Sequence, residues 1–432
     1  PSPLKSLTKY LKLPGLISLG AGLPHPETFP FARLSVETKE HDVTGRPMPA
    51  ATAQATTSSL PSDFVSDAPP TLNTALQYGV GRGLASVRKF FVEETRRLHL
   101  PRYANWDVVA TCGNTDGFAK AVSLFCDPGD GLLVEEWCYP AALEAIKQVA
   151  ASPCPVRMDD QGMVPESLRQ AVAAWTGARP LRVIYLVPTG QNPTGACMSL
   201  ERRQAIYDVA RELDLIIIED DPYYHLQYDG PSDAALLPSL LSMDTDGRVI
   251  RLESLSKILA PGMRLGWLVA AKPITDLVQY YNEITTQQPS GWSQAIAAHL
   301  LLDSWGQAGW QRHLASVREN YRSKRDSLQT ICERELTGLC EWTLPSSGMF
   351  FWFRLNLPAS LKSQPGHMQR VFDRCIKHGV LLVPGSQFLA LPDSVALSPD
   401  EKADSAPYLR AGFSYETADK VEEAILRLRK AL

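Results

Sequence analysis

At 432 residues, 44% of them hydrophobic and 21% charged, the chain has length for two or three domains and enough apolar content for a sizeable core. A net charge of −4 without a long basic run argues against nucleic acid as the main partner, and no apolar stretch reaches the length of a membrane span. Eight scattered cysteines, with no CxxC pair and no His/Cys metal spacing, fit reduced thiols in an intracellular, cytoplasmic protein better than disulfides or zinc ligands. The opening PSPLKSLTKYLKLPGL lacks the apolar core and cleavage pattern of a secretory signal, although a start on Pro1 could hide a trimmed targeting segment.

In chain order, residues 43–71 are rich in Ala, Thr, Ser and Pro without clear periodicity and read as a long loop or insertion. Beyond them, VVATCG (108–113), GLLVEE (131–136), RVIYLVP (182–188), LIIIEDD (215–221), RVIRLES (248–254) and GWLVAA (266–271) read as strands. Helical segments are expected near 115–126, 139–150, 164–175 and 199–213. Nearly continuous Val, Ile and Leu strands alternating with helices predict an α/β fold with a mostly parallel sheet covered on both faces. The pattern turns helical over about 275–335, where SVRENYRSKRDSLQ reads as an exposed helix face. Finally MFFWFRL (349–355) and YLRAGFS (408–414) predict strands of a smaller α+β domain. The expected divisions are an N-terminal arm (1–42), the insertion (43–71), a large domain (72–310) and a small C-terminal domain (311–432).

Four features fall at the ends of predicted strands, the edge where open α/β sheets collect ligands. CGNTDG (112–117) opens a helix with small polar residues, a plain N-cap or a phosphate seat. PTGQNPTG (188–195) forces a sharp turn around Asn192, which is either structural or a way to hold an amide at a ligand. IIIEDDPYY (216–224) sets two carboxylates after an apolar run, costly unless solvated, paired or bound to a cation. Metal is an option there, but His225 is the one histidine nearby and the rest of a ligand set is missing. In SLSKILAPGMRLGW (254–267), Lys257 sits just past a strand end, either as a solvated surface lysine or as a nucleophile. Lysine, acid and phosphate cradle together are the set that an aldehyde cofactor needs: a Schiff base, a partner for a pyridine nitrogen, and a phosphate seat.

On ISLGAGLPHPETFPF, LQYGVGRG, GNTDGFAK, VEEWCYP, QNPTG, EDDPYY, SLSKILAPGMRLGW, SGMFFWF and YLRAGFS, in this order, the sequence resembles the class I/II aminotransferases of PLP fold type I. Within them it looks most like the fungal aromatic aminotransferases and the kynurenine/α-aminoadipate group. The resemblance covers nearly the whole chain except residues 43–71. It implies pyridoxal 5'-phosphate (PLP) as cofactor, with Lys257 as its Schiff-base lysine and proton shuttle. Asp220 then pairs with the ring nitrogen, three residues before Tyr223 as the family pattern requires. Asn192 and Tyr223 bond the ring's phenolic oxygen, and Tyr139 stacks on the ring unless it is simply a buried tyrosine. Asn114, Thr115, Ser254, Ser256 and Arg264 cradle the phosphate, with Tyr78 reaching the phosphate of a neighbouring subunit in a homodimer. Arg410 takes the substrate α-carboxylate, helped by Gly22 and Asn192, while Leu23, Pro24 and Tyr139 form an apolar wall for the side chain. Cys138, His225, Met263 and Trp292 depart from the family pattern around this site.

The reaction so implied is ping-pong transfer of an amino group from an aromatic L-amino acid to a 2-oxo acid such as 2-oxoglutarate. Two alternatives stand beside it. One is a lyase or carbon–carbon bond-forming PLP enzyme of secondary metabolism on the same scaffold. The other is a ligand-sensing regulator, which would need a DNA-binding segment ahead of ISLGAGLP, where only a short arm precedes.

Overall fold

The computed structural model describes residues 10, 13, 15, 19–20, 22–48, 51–57, 66–228 and 236–432. It divides into two compact units, Pro1–Leu124 with Asp244–Leu314, and Phe125–Met243 with Ala315–Leu432.

In the first unit, strand Gly266–Ala271 runs antiparallel between Val249–Ser254 and Trp106–Thr111. Val108, Val109, Ile250, Leu252, Leu268 and Val269 are all fully buried, as near-continuous aliphatic strands require when both faces are covered. Helix Ala85–Leu98 contributes Phe91, which stacks on Trp267 with ring centroids 4.3 Å apart. Two ends matter for function. Trp106–Thr111 passes through Gly113, at φ +102°, directly into helix Asn114–Phe125, and Val249–Ser254 ends on the serine before the lysine turn.

The expectation of a long loop or insertion over 43–71 is corrected in part. Thr52–Thr56 pairs antiparallel with Arg33–Glu37, and its alternation buries Ala53 and Ala55 against the sheet's inner side. Ala51 and Ala53 pack with Leu300, Val36 and Trp305. Alanine is too small to mark a period-two apolar run, so TAQAT did not stand out as a strand. Residues 49–50 and 58–65 of that stretch lie outside the described residues.

The second unit holds the parallel arrangement that the sequence pattern predicts. Ile216–Asp220 pairs parallel with Val183–Leu186, which pairs with Gly131–Glu135, which pairs with Ser152–Val156. The last of these strands was not expected. Its sequence, SPCPV, carries two prolines, which belong on a sheet edge and hide a strand from pattern reading. Helices Pro140–Gln148, Pro165–Ala174 and Leu200–Glu212 follow the strands as expected, the last capped where Ser199 Oγ accepts from the Arg202 N–H at 3.2 Å.

A four-stranded antiparallel sheet in the same unit contains the two expected C-terminal strands, Phe350–Leu355 and Tyr408–Gly412, with Trp352 opposite Arg410. The 30-residue helix Gly306–Glu335 carries the charged segment, exposing Arg322 and Asp326 while burying Arg325 and Leu328. Glycines set one approach in this unit: a Cβ on Gly190, at φ +57°, would meet Gly348 Cα at 2.4 Å. The PTGQNPTG turn and the start of SGMFFWF therefore touch backbone to backbone.

Candidate active site

In the first unit the lysine turn is built on one carbonyl. The N–H groups of Ile258, Leu259 and Ala260 approach Leu255 O at 3.3, 2.8 and 3.2 Å, leaving half-buried Lys257 inside a tight loop. From the helix side, His313 Nε2 lies 2.6 Å from Ile258 O and donates to it. Ser254 and Ser256 place their hydroxyls 2.7 Å apart, and the Ser256 N–H adds a bond to Ser254 Oγ at 3.0 Å. Arg264 closes the group. It is a non-glycine in the left-handed region (φ 45°, ψ 51°), an arrangement costing roughly 1–2 kcal/mol that its bonds must hold. Its guanidinium donates to Cys112 O at 2.7 Å, Pro261 O at 2.9 Å and Ser256 Oγ at 3.4 Å.

Asn114 Nδ2 donates to Leu252 O at 3.1 Å, tying the helix start to the strand that ends in Ser254. A Cβ on Gly113 would meet Arg264 Nη2 at 2.8 Å, so that corner accepts only glycine without a shift. Asn114, Ser254, Ser256 and Arg264 thus converge through these contacts, while Thr115 beside Asn114 is exposed. Leu23 and Tyr78 are about half exposed, at 49% and 59%. Gly22 has open space around it, and Pro24 O accepts from Gln77 Nε2 at 2.8 Å, next to Tyr78.

The second unit gathers acids and aromatic rings. Asp220, the last residue of its strand, is buried and accepts from Tyr185 OH at 2.8 Å. Its neighbour Asp221 instead accepts from Thr189 Oγ1 at 3.1 Å. Buried Tyr223 has its hydroxyl pKa pushed up by burial and then by the Asp220 charge, while Arg410 acts the other way. Arg410 Nη1 donates to Asn192 Oδ1 at 2.6 Å, and its guanidinium lies 4.4 Å from the Phe350 ring centroid and 4.8 Å from that of Phe388. Burial lowers its pKa, and Tyr223 and Tyr139 oppose that shift. Arg410 Nε is a buried donor with no hydrogen-bond partner among the described residues, the mark of a group built to meet a ligand acceptor. Half-buried Tyr139 heads helix Pro140–Gln148.

The family model for aminotransferase class I and II matches residues 73–425. The chain is a class I/II aminotransferase. An aromatic amino acid aminotransferase of Schizosaccharomyces pombe is 34% identical over 458 residues, covering 100% of this chain and 94% of the relative. Among solved structures, aminotransferase Aro8 from Candida albicans aligns with a TM-score of 0.88 at 34% identity, covering 100% of this chain and 95% of that one. A kynurenine aminotransferase from Pyrococcus horikoshii, solved in complex with PMP, aligns with a TM-score of 0.72 at 30% identity, covering 83% and 82%. The aminotransferase uses pyridoxal 5'-phosphate, and each unit by itself holds groups that fit part of it: in the first, paired serine hydroxyls, a guanidinium and a glycine-lined helix start suit a phosphate; in the second, a buried carboxylate suits a ring nitrogen.

Sequence reading missed several neighbours of the aminotransferase's Asp220. Tyr185 lies in the run RVIYLVP, where a hydroxyl in an otherwise aliphatic buried strand was a usable sign. Glu135 is fully buried, accepts from Gln191 Nε2 at 3.0 Å and Val187 N at 3.1 Å, and has a pKa raised to about 8, first by burial and further by Asp220. Cys138, which the sequence did mark as flanking this site, is buried, and its thiol is pushed well above the ordinary range by burial and by Glu135 and Asp220. Phe350 and Phe388 lie far from Asn192 in sequence, and nothing local linked them to Arg410.

Proposed function

We propose that this aminotransferase moves the amino group of an aromatic L-amino acid to a 2-oxo acid such as 2-oxoglutarate, as a cytoplasmic homodimer to whose sites Tyr78 of each subunit contributes. The observation that carries this reading is Arg410, whose guanidinium lies 4.4 Å from the Phe350 ring centroid and 4.8 Å from that of Phe388, with an Nε–H unmet among the described residues. That guanidinium suits an α-carboxylate, and aromatic surroundings favour a ring beside it. The S. pombe relative, named for aromatic amino acids, supports the same reading.

When bound, pyridoxal 5'-phosphate supplies an aldehyde for amines and a ring that takes up the electron pair left at the substrate Cα. In this reading Lys257 holds the cofactor and then moves a proton at the substrate Cα. Asp220, kept in place by Tyr185, maintains a proton on the ring nitrogen. Asn114, Thr115, Ser254, Ser256 and Arg264 hold the phosphate. Asn192 and Tyr223 serve the ring's phenolic oxygen, Tyr139 stacks on the ring, and Gly22, Leu23 and Pro24 border the substrate. The division into arm (1–42), insertion (43–71), large domain (72–310) and small domain (311–432) belongs to the same proposal.

A donor panel tests it. Phenylalanine, tyrosine, tryptophan, kynurenine, α-aminoadipate and alanine are compared by kcat/KM with 2-oxoglutarate as acceptor. An aromatic donor should lead; a lead for α-aminoadipate or alanine overturns the substrate assignment and leaves the family untouched.

A further inference from the structure

Within the second unit a cavity of about 440 Å3 is lined by none of Tyr139, Asn192, Asp220, Tyr223 or Arg410. Its volume falls in the range of small-molecule sites. One wall is aromatic. Trp352 and Tyr408 stack with centroids 4.9 Å apart at 7°, and Trp137 meets them at 5.5 and 5.1 Å. The register explains the stack, because Tyr408 lies opposite Arg354 and Trp352 opposite Arg410 on adjoining strands, so all four share one face.

Among neutral side chains the rest of the lining carries four carboxylates. Glu136, Asp159, Asp160 and Glu341 face the cavity, with Arg354 the single basic residue in its lining. Two of these carboxylates are already engaged: Asp159 with Arg202 at 2.7 Å and Glu341 with Arg354 at 3.2 Å. Glu136 and Asp160 form no ion pair among the described residues. Glu136 is half-buried and accepts one bond, from Met158 N at 2.7 Å; burial pushes its carboxyl pKa up, against that bond and the more distant Arg157 charge. Arg157 acts on this carboxylate from beyond ion-pair distance, so beside the stacked aromatic wall Glu136 keeps an oxygen to offer a cation in direct contact.

We infer that this cavity binds a small organic cation of the guanidinium type, its planar head stacked on the Trp137–Trp352–Tyr408 wall and paired with Glu136. A guanidinium is favoured over an ammonium because it is planar, stacks on rings, is weakly hydrated and presents a fork that a carboxylate accepts. Arg202 and Arg354 engage Asp159 and Glu341, so a cation entering the cavity meets exposed Asp160 and half-buried Glu136, and Glu136 is the one adjoining Trp137.

Calorimetric titration of the holoenzyme with butylguanidinium, and with the uncharged isostere butylurea, tests the inference. Saturable binding of the cation at one site per chain is expected, with the urea at least ten-fold weaker. Glu136→Gln, which keeps the shape, should raise the Kd for the cation about ten-fold or more, and Arg410→Ala should leave it within about two-fold. Equal affinity for the two probes, no saturable binding, or an unchanged Kd in Glu136→Gln overturns it. So does several-fold tighter binding in Arg410→Ala, which removes a like charge and would place the cation in the substrate site instead. None of these outcomes depends on which amino acid the enzyme transaminates.

Discussion

Around Lys257 the functional groups come from one short stretch, Ser254 to Arg264, plus the helix start at Asn114, and several are exposed or half-buried. Around Asp220 they come from separate strands and loops and are mostly buried: Glu135, Tyr185, Asn192, Tyr223, and Arg410 between two phenylalanines. A phosphate carries its charge in any setting and can be held by local turns and hydroxyls near water. Keeping a proton on a ring nitrogen, or gripping a carboxylate tightly, needs charges taken out of water, and those demand partners from across the fold. The first region is therefore expected to fail abruptly at single residues, the second gradually through its supporting shell.

The sharpest break is Lys257→Ala, which should abolish turnover and the visible absorbance of the bound cofactor, because no neighbouring group both holds the cofactor and moves the proton at Cα. Measurable turnover by that variant would contradict the assignment. Next is Asp220→Ala, expected to keep bound cofactor yet lose on the order of a hundred-fold or more in kcat, since each ~1.4 kcal/mol of lost transition-state stabilisation costs about ten-fold. Asp221→Ala, which removes the partner of Thr189 rather than of Tyr185, should be the milder change. The reverse order would put the ring acid one residue later.

Arg410→Ala should weaken every amino-acid substrate alike, by ~2 to 5 kcal/mol in kcat/KM, the range for removing one member of a desolvated charge pair. Substitutions at Leu23 and Tyr139 should instead reorder the donors while leaving their common carboxylate binding in place. A uniform loss from Tyr139 variants, or an altered ranking from Arg410→Ala, would erase that distinction.

The smallest effect at neutral pH is expected from Glu135→Gln. The folded carboxyl has its pKa raised from 4.5 to about 8, so the folded state binds more protons than the unfolded one between those values. Stability should therefore fall as pH rises through that window and level off above it, by at most ~1.4 kcal/mol per pH unit. Removing the titration should flatten the profile, read as Tm between pH 5 and 9. Because Glu135 is largely neutral at pH 7, the variant should also hold its activity within a few-fold. Parallel Tm profiles for wild type and variant would show that Glu135 is not the titrating group.

Much of this was legible in the sequence, for a physical reason. The six strands expected of the main sheet are formed by aliphatic runs that have one stable disposition, and SLSKILAPGMRLGW carries its turn chemistry within itself. Ser152–Val156 was hidden by its prolines, and Thr52–Thr56 by alanines in a stretch that otherwise reads as loop. The antiparallel sense of Gly266–Ala271 leaves no mark in composition, since a buried strand looks alike in either direction. Tyr185 on Asp220, Gln191 on Glu135 and Arg410 on Asn192 are pairings over 35 to 218 residues of chain that only the fold brings about.

The most direct test of the site assignment is borohydride reduction of the holoenzyme followed by peptide mapping, which fixes the bound cofactor covalently on the lysine that holds it. The expected result is a single modified peptide containing Lys257, between Ser256 and Ile258. Recovery of the cofactor on any other lysine would contradict the account.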